Sequence, residues 1–351
     1  MKKSKKKNGL KKAISIVLIL FIIIGAIVGM VIYDRVYMPN VKVEKETYLF
    51  IKTGASLNDV LESLYDKKII DDTASFGWVA RKKNYANHIY PGRYLIQDGL
   101  SNNAMVDMLR SGNQEPLQLT FNNVRTKKEL AKKVAEYIEA SGEELYAVLN
   151  DPAIWKKYGF NQYTFISMFI PNSYEFYWNT SAEGFIKRMA KEYKNFWTSE
   201  RIAKAKVINL SQSEVSTLAS IVQAEQSMKA DERPIVAGLY INRLNIGMRL
   251  QSDPTLIFAI GDFTIKRVLN KDKLVDSRYN TYQYAGLPPG PINVPEISSI
   301  DAVLNYEKHN YLYMCAKADF SFYHNFATNL RQHNIYAAQY QRELSRRRIN
   351  R

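Results

Sequence analysis

Glu225 is the residue whose type and place most invite chemistry. It closes the run SQSEVSTLASIVQAE, which opens at Ser211. Ser211 and Glu214 have the spacing of a capping box, in which each side chain satisfies a backbone N–H at a helix start. Val215, Leu218, Val222 and Glu225 then follow at steps of three, four and three. Such steps put all four on one helical face. Three are apolar and the fourth is a carboxylate. An unpaired ionised carboxylate on a core-facing stripe is costly. Burial there raises its pKa, which is how a carboxyl is kept protonated to serve as a general acid. The same position would suit a structural ion pair with a nearby arginine, or a helix end meeting solvent, so position alone leaves both readings open.

The elements that must position this residue follow it. Asp231 can cap a helix over Ile235–Leu244, with Pro234 tolerated in its first turn and Gly247 ending it. Asp253-Pro254 is a further helix start, and Asp253 reads as its cap. Gly286-Leu287-Pro288-Pro289-Gly290-Pro291-Ile292 cannot be a helix interior or a central strand and reads as a stiff loop. Tyr311–Ala316 and Ser321–Phe326 read as a hairpin, and a helix after Thr328 carries Leu330, His333 and Ala337.

Upstream, Leu117–Phe121 is strand-like. Thr126 caps a helix expected to run to about Ala140, and a second helix covers Gly142–Leu149. An aromatic stretch from Tyr163 to Trp178 reads mostly as core, although sugar clefts use the same residue types. Ser181–Trp197 is another amphipathic helix. Residues 42–114 form a smaller α/β unit: a strand near Tyr48–Lys52, a helix capped by Ser56, a short helix at Ala74–Arg81, a strand at Arg93–Ile96, and a helix capped by Ser101 and closed by Gly112. Its strand–turn–helix opening resembles a LysM-like module, a type that often binds glycans; a plain spacer is the other reading.

Ala13–Tyr33 is 21 residues without a charge, long enough to span a bilayer. Residues 1–12 hold seven lysines: Lys2, Lys3, Lys5, Lys6, Lys7, Lys11 and Lys12. The lysine excess predicts a cytoplasmic N-terminus and a single-pass protein with its body outside; a cleaved signal is the other reading. The whole chain of 351 residues carries 49 basic and 34 acidic residues, a net charge of +15. Without the seven lysines the balance is 42 against 34, still basic, which suits an anionic partner such as a cell-wall polymer or membrane surface. No nucleic-acid motif is present, and no nucleic-acid partner is expected. The one cysteine, Cys315, builds no disulfide framework and reads as core. His88, His309, His324 and His333 show no metal-ligand spacing, and no serine-hydrolase elbow is present.

Several ordered motifs together resemble the endolytic murein transglycosylases (MltG, YceG-like). They are Ala219-Ser220-Ile221-Val222 before Glu225, Glu232-Arg233, Asn242-Arg243-Leu244, Gly247 through Thr255, Tyr279-Asn280-Thr281-Tyr282, Gly286-Leu287-Pro288-Pro289 with Pro291-Ile292, and Tyr311-Leu312-Tyr313. The resemblance covers nearly the whole chain in layout and is dense from about Leu218 to Tyr340. Two departures stand out. The family usually has two glutamates one residue apart after Ile-Val; here the first is Gln223, which cannot donate a proton, and the second is Glu225. The glycine-rich turn that often precedes the family's histidine is here Lys317-Ala318-Asp319, and the histidine matches His324.

The resemblance implies an α+β fold: a single N-terminal transmembrane helix at residues 13–33, a LysM-like α/β module at 42–114 and a mixed α/β catalytic domain at 115–345. It implies a lyase that cuts nascent glycan strands between N-acetylmuramic acid and N-acetylglucosamine, leaving 1,6-anhydro ends, with Glu225 as acid and then base. No cofactor and no metal enter. Asn242, Gln251 and Asn280 are expected on sugar hydroxyls or N-acetyl groups. Arg243 and Arg249 are expected on Glu225 or on stem-peptide carboxylates. Tyr282 and Tyr240 are expected to stack on sugar rings, and His324 to line the site. Expected partners are peptidoglycan strands, the bacterial inner membrane and the synthases of elongation or division. A two-carboxylate hydrolase, with Asp231, Glu232 or Asp253 as second group, and a non-catalytic wall-binding scaffold are the competing readings.

Overall fold

The computed structural model describes residues 3–347; of the basic tail, Lys2 lies outside the described residues. The chain divides into two compact units, Met1–Leu117 with Glu175–Asn179, and Gln118–Tyr174 with Thr180–Arg351.

The first unit begins with a long helix, α1 (Lys3–Tyr37). Its segment Gly9–Tyr37 has a mean hydropathy of 3.1 and is long and apolar enough to cross a membrane. The expected span 13–33 lies inside it. The helix enters the first unit without slack. Asn102 Nδ2 donates to the Arg35 carbonyl at 2.8 Å, and Val36 packs on the unit's core. Strands β1 (Thr47–Ile51) and β2 (Gly92–Ile96) pair antiparallel, with Thr47 opposite Ile96 and Ile51 opposite Gly92. Between them lie α2 (Leu57–Asp66) and α3 (Thr73–Lys82), and α4 (Asn102–Ser111) follows. Alternation along the strands turns Leu49, Ile51, Tyr94 and Ile96 inward. Ser56 and Asp59 form a capping box on α2, and Ser101 caps α4. Gly112 ends α4 in the left-handed conformation, φ 68°, that glycine adopts without strain.

The second unit is helical, with two small sheets. In chain order it holds β3 (Leu117–Phe121), α5 (Lys127–Ala135), α6 (Gly142–Asn150), α7 (Pro152–Lys157), β4 (Asn172–Phe176), α8 (Ala182–Phe196), α9 (Ser199–Val207), α10 (Gln212–Glu225), α11 (Arg233–Asn245), α12 (Asp253–Ile260), α13 (Ile297–Leu304), β5 (Tyr313–Ala316), β6 (His324–Ala327) and α14 (Leu330–Arg346). β3 pairs with β4, and β5 pairs antiparallel with β6. The expected helix from Thr126 ends five residues early, at Ala135. The chain turns there through a Tyr137 N–H to Val134 carbonyl bond and re-enters helix at the Ser141–Glu144 capping box. Phe165, Phe169, Tyr174 and Phe176 of the aromatic stretch are buried, whereas Tyr163 and Tyr177 are exposed.

α10 is the central helix. Every residue from Val215 to Val222 is buried. Three of those eight are hydroxylic, and each returns a bond to its own helix: Ser216 to the Gln212 carbonyl, Thr217 to Ser213 and Ser220 to Thr217. That satisfaction is what lets polar side chains sit in the core. Around them α10 packs on α11, α12 and α13. Ser220 also fixes the end of the proline-rich loop, its hydroxyl accepting from the Ile292 N–H at 3.0 Å. Gly238 in α11 faces the Glu307 carbonyl so closely that a Cβ would lie 2.3 Å from it, so the approach of this segment requires glycine.

Candidate active site

Glu225 is the last residue of α10, and the Ser211–Glu214 capping box is present at the helix's other end. Val215, Leu218 and Val222 on its face are fully buried. The chain therefore delivers one carboxylate from a core stripe to the point where the helix opens.

The carboxylate is held on one oxygen. Glu225 Oε1 accepts from the Tyr240 hydroxyl at 2.8 Å and from the Ser252 hydroxyl at 2.5 Å. Among the described residues Oε2 has no hydrogen bond and no arginine pairs with the group. Burial pushes the Glu225 carboxyl above the usual carboxylate range. The Ser252 and Tyr240 hydroxyls pull it back, the Asp253 charge pushes it up, and His324 pulls it down. The helix end adds to the push, since the partial negative charge of a C-terminus disfavours a carboxylate. The outcome is a carboxyl held in fixed orientation, with its proton favoured and one oxygen unengaged. That is the state a general acid needs before reaction.

Sequence reasoning missed Ser252. The residue occupies the N-cap position of α12, yet its side chain makes no capping bond. Its hydroxyl is diverted to Glu225, and its backbone N–H is held instead by the Thr281 hydroxyl at 3.0 Å. Nothing in its local pattern marks that diversion. Tyr240 was expected to stack on sugar; its ring is buried and its hydroxyl serves Glu225. Asp253 was expected to cap α12. It is the first helical residue, and its carboxylate accepts from the Tyr282 hydroxyl at 2.5 Å. Asp231 was expected to cap α11 and instead accepts from Tyr323, while α11 begins after a short 3₁₀ turn.

Three expected sugar or peptide ligands are engaged inside the protein. Asn280 is fully buried: its Nδ2 donates to the Lys273 and Val275 carbonyls, and its Oδ1 accepts from the Tyr282 N–H. Arg243 is buried and donates to the Leu312 and Leu250 carbonyls, not to Glu225. Asn242 donates to the His309 and Tyr311 carbonyls. These bonds pin the segment before β5 and the turn before α12 against α11, so they shape the site from behind. Arg249 and Gln251 are exposed. Arg249 donates to the Tyr282 carbonyl at 3.2 Å, and Gln251 sits at φ 50°. Tyr282 is half-buried, with the Lys273 ammonium 4.7 Å from its ring centre.

His324 stands on the other side of Gln226. Its Nδ1 lies 2.7 Å from Glu232 Oε2, and its backbone N–H donates to Glu232 Oε1 at 2.8 Å. Burial pushes the Glu232 carboxyl up, but the bonds from His324 and Gln226 outweigh it and the net direction is down. The two carboxyls are thus pushed in opposite directions, Glu232 down and Glu225 up. Gln223 is also fixed: its Oε1 accepts from the Glu296 N–H at 2.6 Å and the Ser299 hydroxyl at 3.2 Å, at the start of α13.

A model of the YceG-like family matches residues 49–339. The chain belongs to that family. This YceG-like protein is 29% identical to a protein of Bacillus subtilis named endolytic murein transglycosylase, over 87% of this chain and 88% of the relative. A Streptococcus pneumoniae protein of the same name is 26% identical over 81% of this chain; the match spans 57% of that longer relative. The crystal structure of a YceG-like protein from Listeria monocytogenes superposes with a TM-score of 0.55 at 26% identity, covering 84% of this chain and 99% of that one. Among the described residues of the YceG-like chain no cluster of His, Cys, Asp or Glu could hold a metal ion.

Proposed function

We infer that this protein is an endolytic peptidoglycan lytic transglycosylase with Glu225 as its single acid and base. The observation that carries the assignment of Glu225 is its geometry: a carboxyl raised by burial, oriented through Oε1 by Tyr240 and Ser252, with Oε2 left for substrate. Protonated Glu225 gives its proton to the oxygen leaving the muramyl C1. The resulting carboxylate takes the proton from the 6-hydroxyl of the same muramic residue, which bonds to C1. The C1–O bond to the next sugar breaks, the C1–O6 bond forms, no water is added, and Glu225 ends protonated. General acid–base help of this kind is worth roughly 10²- to 10⁴-fold.

The apolar helix α1 anchors the protein as a single pass in the inner membrane, with the tail cytoplasmic and the chain after α1 outside. The order β1–α2–α3–β2 in the first unit, two helices between paired antiparallel strands, supports the LysM-like reading of that module. Nascent glycan strands are the substrate, and the synthases that extend them are the partners the reading calls for.

The test is mass spectrometry of peptidoglycan digested by the full chain in detergent. The reading predicts new ends lighter by one water than reducing ends. New reducing ends would instead make the protein a hydrolase and turn attention to Asp253 as second carboxylate.

A further inference from the structure

A cavity of about 630 Å³ opens beside the last turn of α10. Gln223 and Ala224, the two residues before Glu225, form one wall; Ile257 and Phe258 of α12 form another; Arg125 and Phe263 stand with them in the lining. None of the steps assigned to Glu225 uses this space, and its size is that of a pocket for a drug-sized ligand rather than a water site.

Its chemistry is specific. Ile257, Phe258, Phe263, Ile265 and Ile292 form an apolar floor, and Asn123, Ser227 and Asn293 add polar lining. Gln223 Oε1 is committed to the Glu296 N–H and the Ser299 hydroxyl, and a backbone N–H partner fixes which amide atom is the oxygen. Its Nε2, a donor, has no partner among the described residues. The Arg125 guanidinium lies 4.7 Å from the centre of the Phe263 ring, which holds its plane. Among the described residues it forms no ion pair. The one carboxylate in the lining, Glu129, accepts from the Arg125 backbone N–H at 2.7 Å. The cavity therefore offers apolar surface, an amide donor and a cation. The Asn293 amide oxygen, buried and without a partner among the described residues, adds an acceptor that a peptide N–H can meet.

We propose that this cavity takes the lactyl-peptide arm of the muramic residue at the cleavage point, seating its methyl groups on the apolar floor while Gln223 and Arg125 donate to its carbonyl and carboxylate oxygens. This rests on the glycan-cleaving assignment and deepens it, because it makes the arm part of what the site recognises. The arm is the part of peptidoglycan that combines methyl groups, amide carbonyls and a free carboxylate, and a planar guanidinium binds a carboxylate in two-point fashion. Strands that carry stem peptides are then preferred over strands stripped of them.

The test measures binding, so that it stands apart from turnover. The full chain carrying Glu225→Gln, in detergent, is titrated by calorimetry with short glycan strands of equal length, either bearing stem peptides or stripped by an amidase. Peptide-bearing strands should bind about tenfold tighter or more, and Arg125→Ala and Arg125→Glu on the same background should bring that ratio down to about one. Arg125 is exposed, so neither change threatens the fold. Equal affinities for the two strands, or a ratio unmoved by both substitutions, would overturn the proposal. Absence of anhydro ends from the unmutated protein would count against the assigned reaction and leave this binding result to be read by itself.

Discussion

Removing the Ser252 hydroxyl should make Glu225 a weaker acid and move the enzyme's alkaline limit upward. The Ser252→Ala change is clean. The side chain makes no capping bond to α12, and the residue's backbone bonds to Thr281 and Thr255 do not involve its hydroxyl. What is lost is one bond of 2.5 Å to Oε1. A hydrogen bond to a charged group contributes about 1.5–3 kcal/mol. At about 1.4 kcal/mol per tenfold change in an equilibrium, the limb of the kcat/KM profile on which Glu225 loses its proton should move up by about one to two pH units. The sign follows from the charge state: the hydroxyl stabilises the carboxylate, so its removal favours the acid. Tyr240→Phe should move the same limb in the same direction. The assay is the release of anhydro ends by the full chain across pH, with each variant's melting temperature as a check on folding. A limb that stays in place or moves down in both variants would refute the assignment of Oε1 as the held oxygen and of Glu225 as the titrating acid.

Glu225→Gln should raise thermal stability at neutral pH, because the raised carboxyl binds its proton more tightly in the folded chain than in the unfolded one. Stability is then lost as pH rises from the ordinary value of 4.5 through the raised one; melting scans should show a gain of a few degrees at pH 8 that vanishes at pH 4, and equal melting at both would contradict it. Asn280→Ala should cost about 2–4 kcal/mol in urea unfolding, since it strands two carbonyls and an N–H in a buried turn; a change within about 0.5 kcal/mol would return Asn280 to the surface roles expected from sequence. Gly238→Ala should destabilise by about 2–3 kcal/mol through its clash with the Glu307 carbonyl, and an unchanged melting temperature would show that the segment before β5 gives way.

The catalytic candidate was legible because two independent local signals met on one helix. A capping box set the start of α10, and an apolar stripe ran from it into a carboxylate. Helix caps elsewhere, at Ser56, Ser101 and Thr126, were readable for the same reason: the donor and acceptor lie within three residues. The partners of Glu225 were not legible. Ser252 lies 27 residues away, next to Asp253, the residue expected to cap α12. Arg243, Asn242 and Asn280 carry the polar groups that sugar sites use, and sequence cannot say that their acceptors are carbonyls. Those of Arg243 and Asn242 are supplied in part from segments 67 to 69 residues further on. The over-long helix after Thr126 has a related cause, since Ile138 continues its apolar stripe while the backbone has already turned.

The most direct measurement compares turnover of the full chain with that of its Glu225→Gln form on peptidoglycan, together with the melting temperature of each. A single buried acid that is also the base predicts a loss of about 10²- to 10⁴-fold in a protein that melts no lower than the original. Activity within tenfold of the original, from an equally stable variant, would contradict the account and place the chemistry on another group.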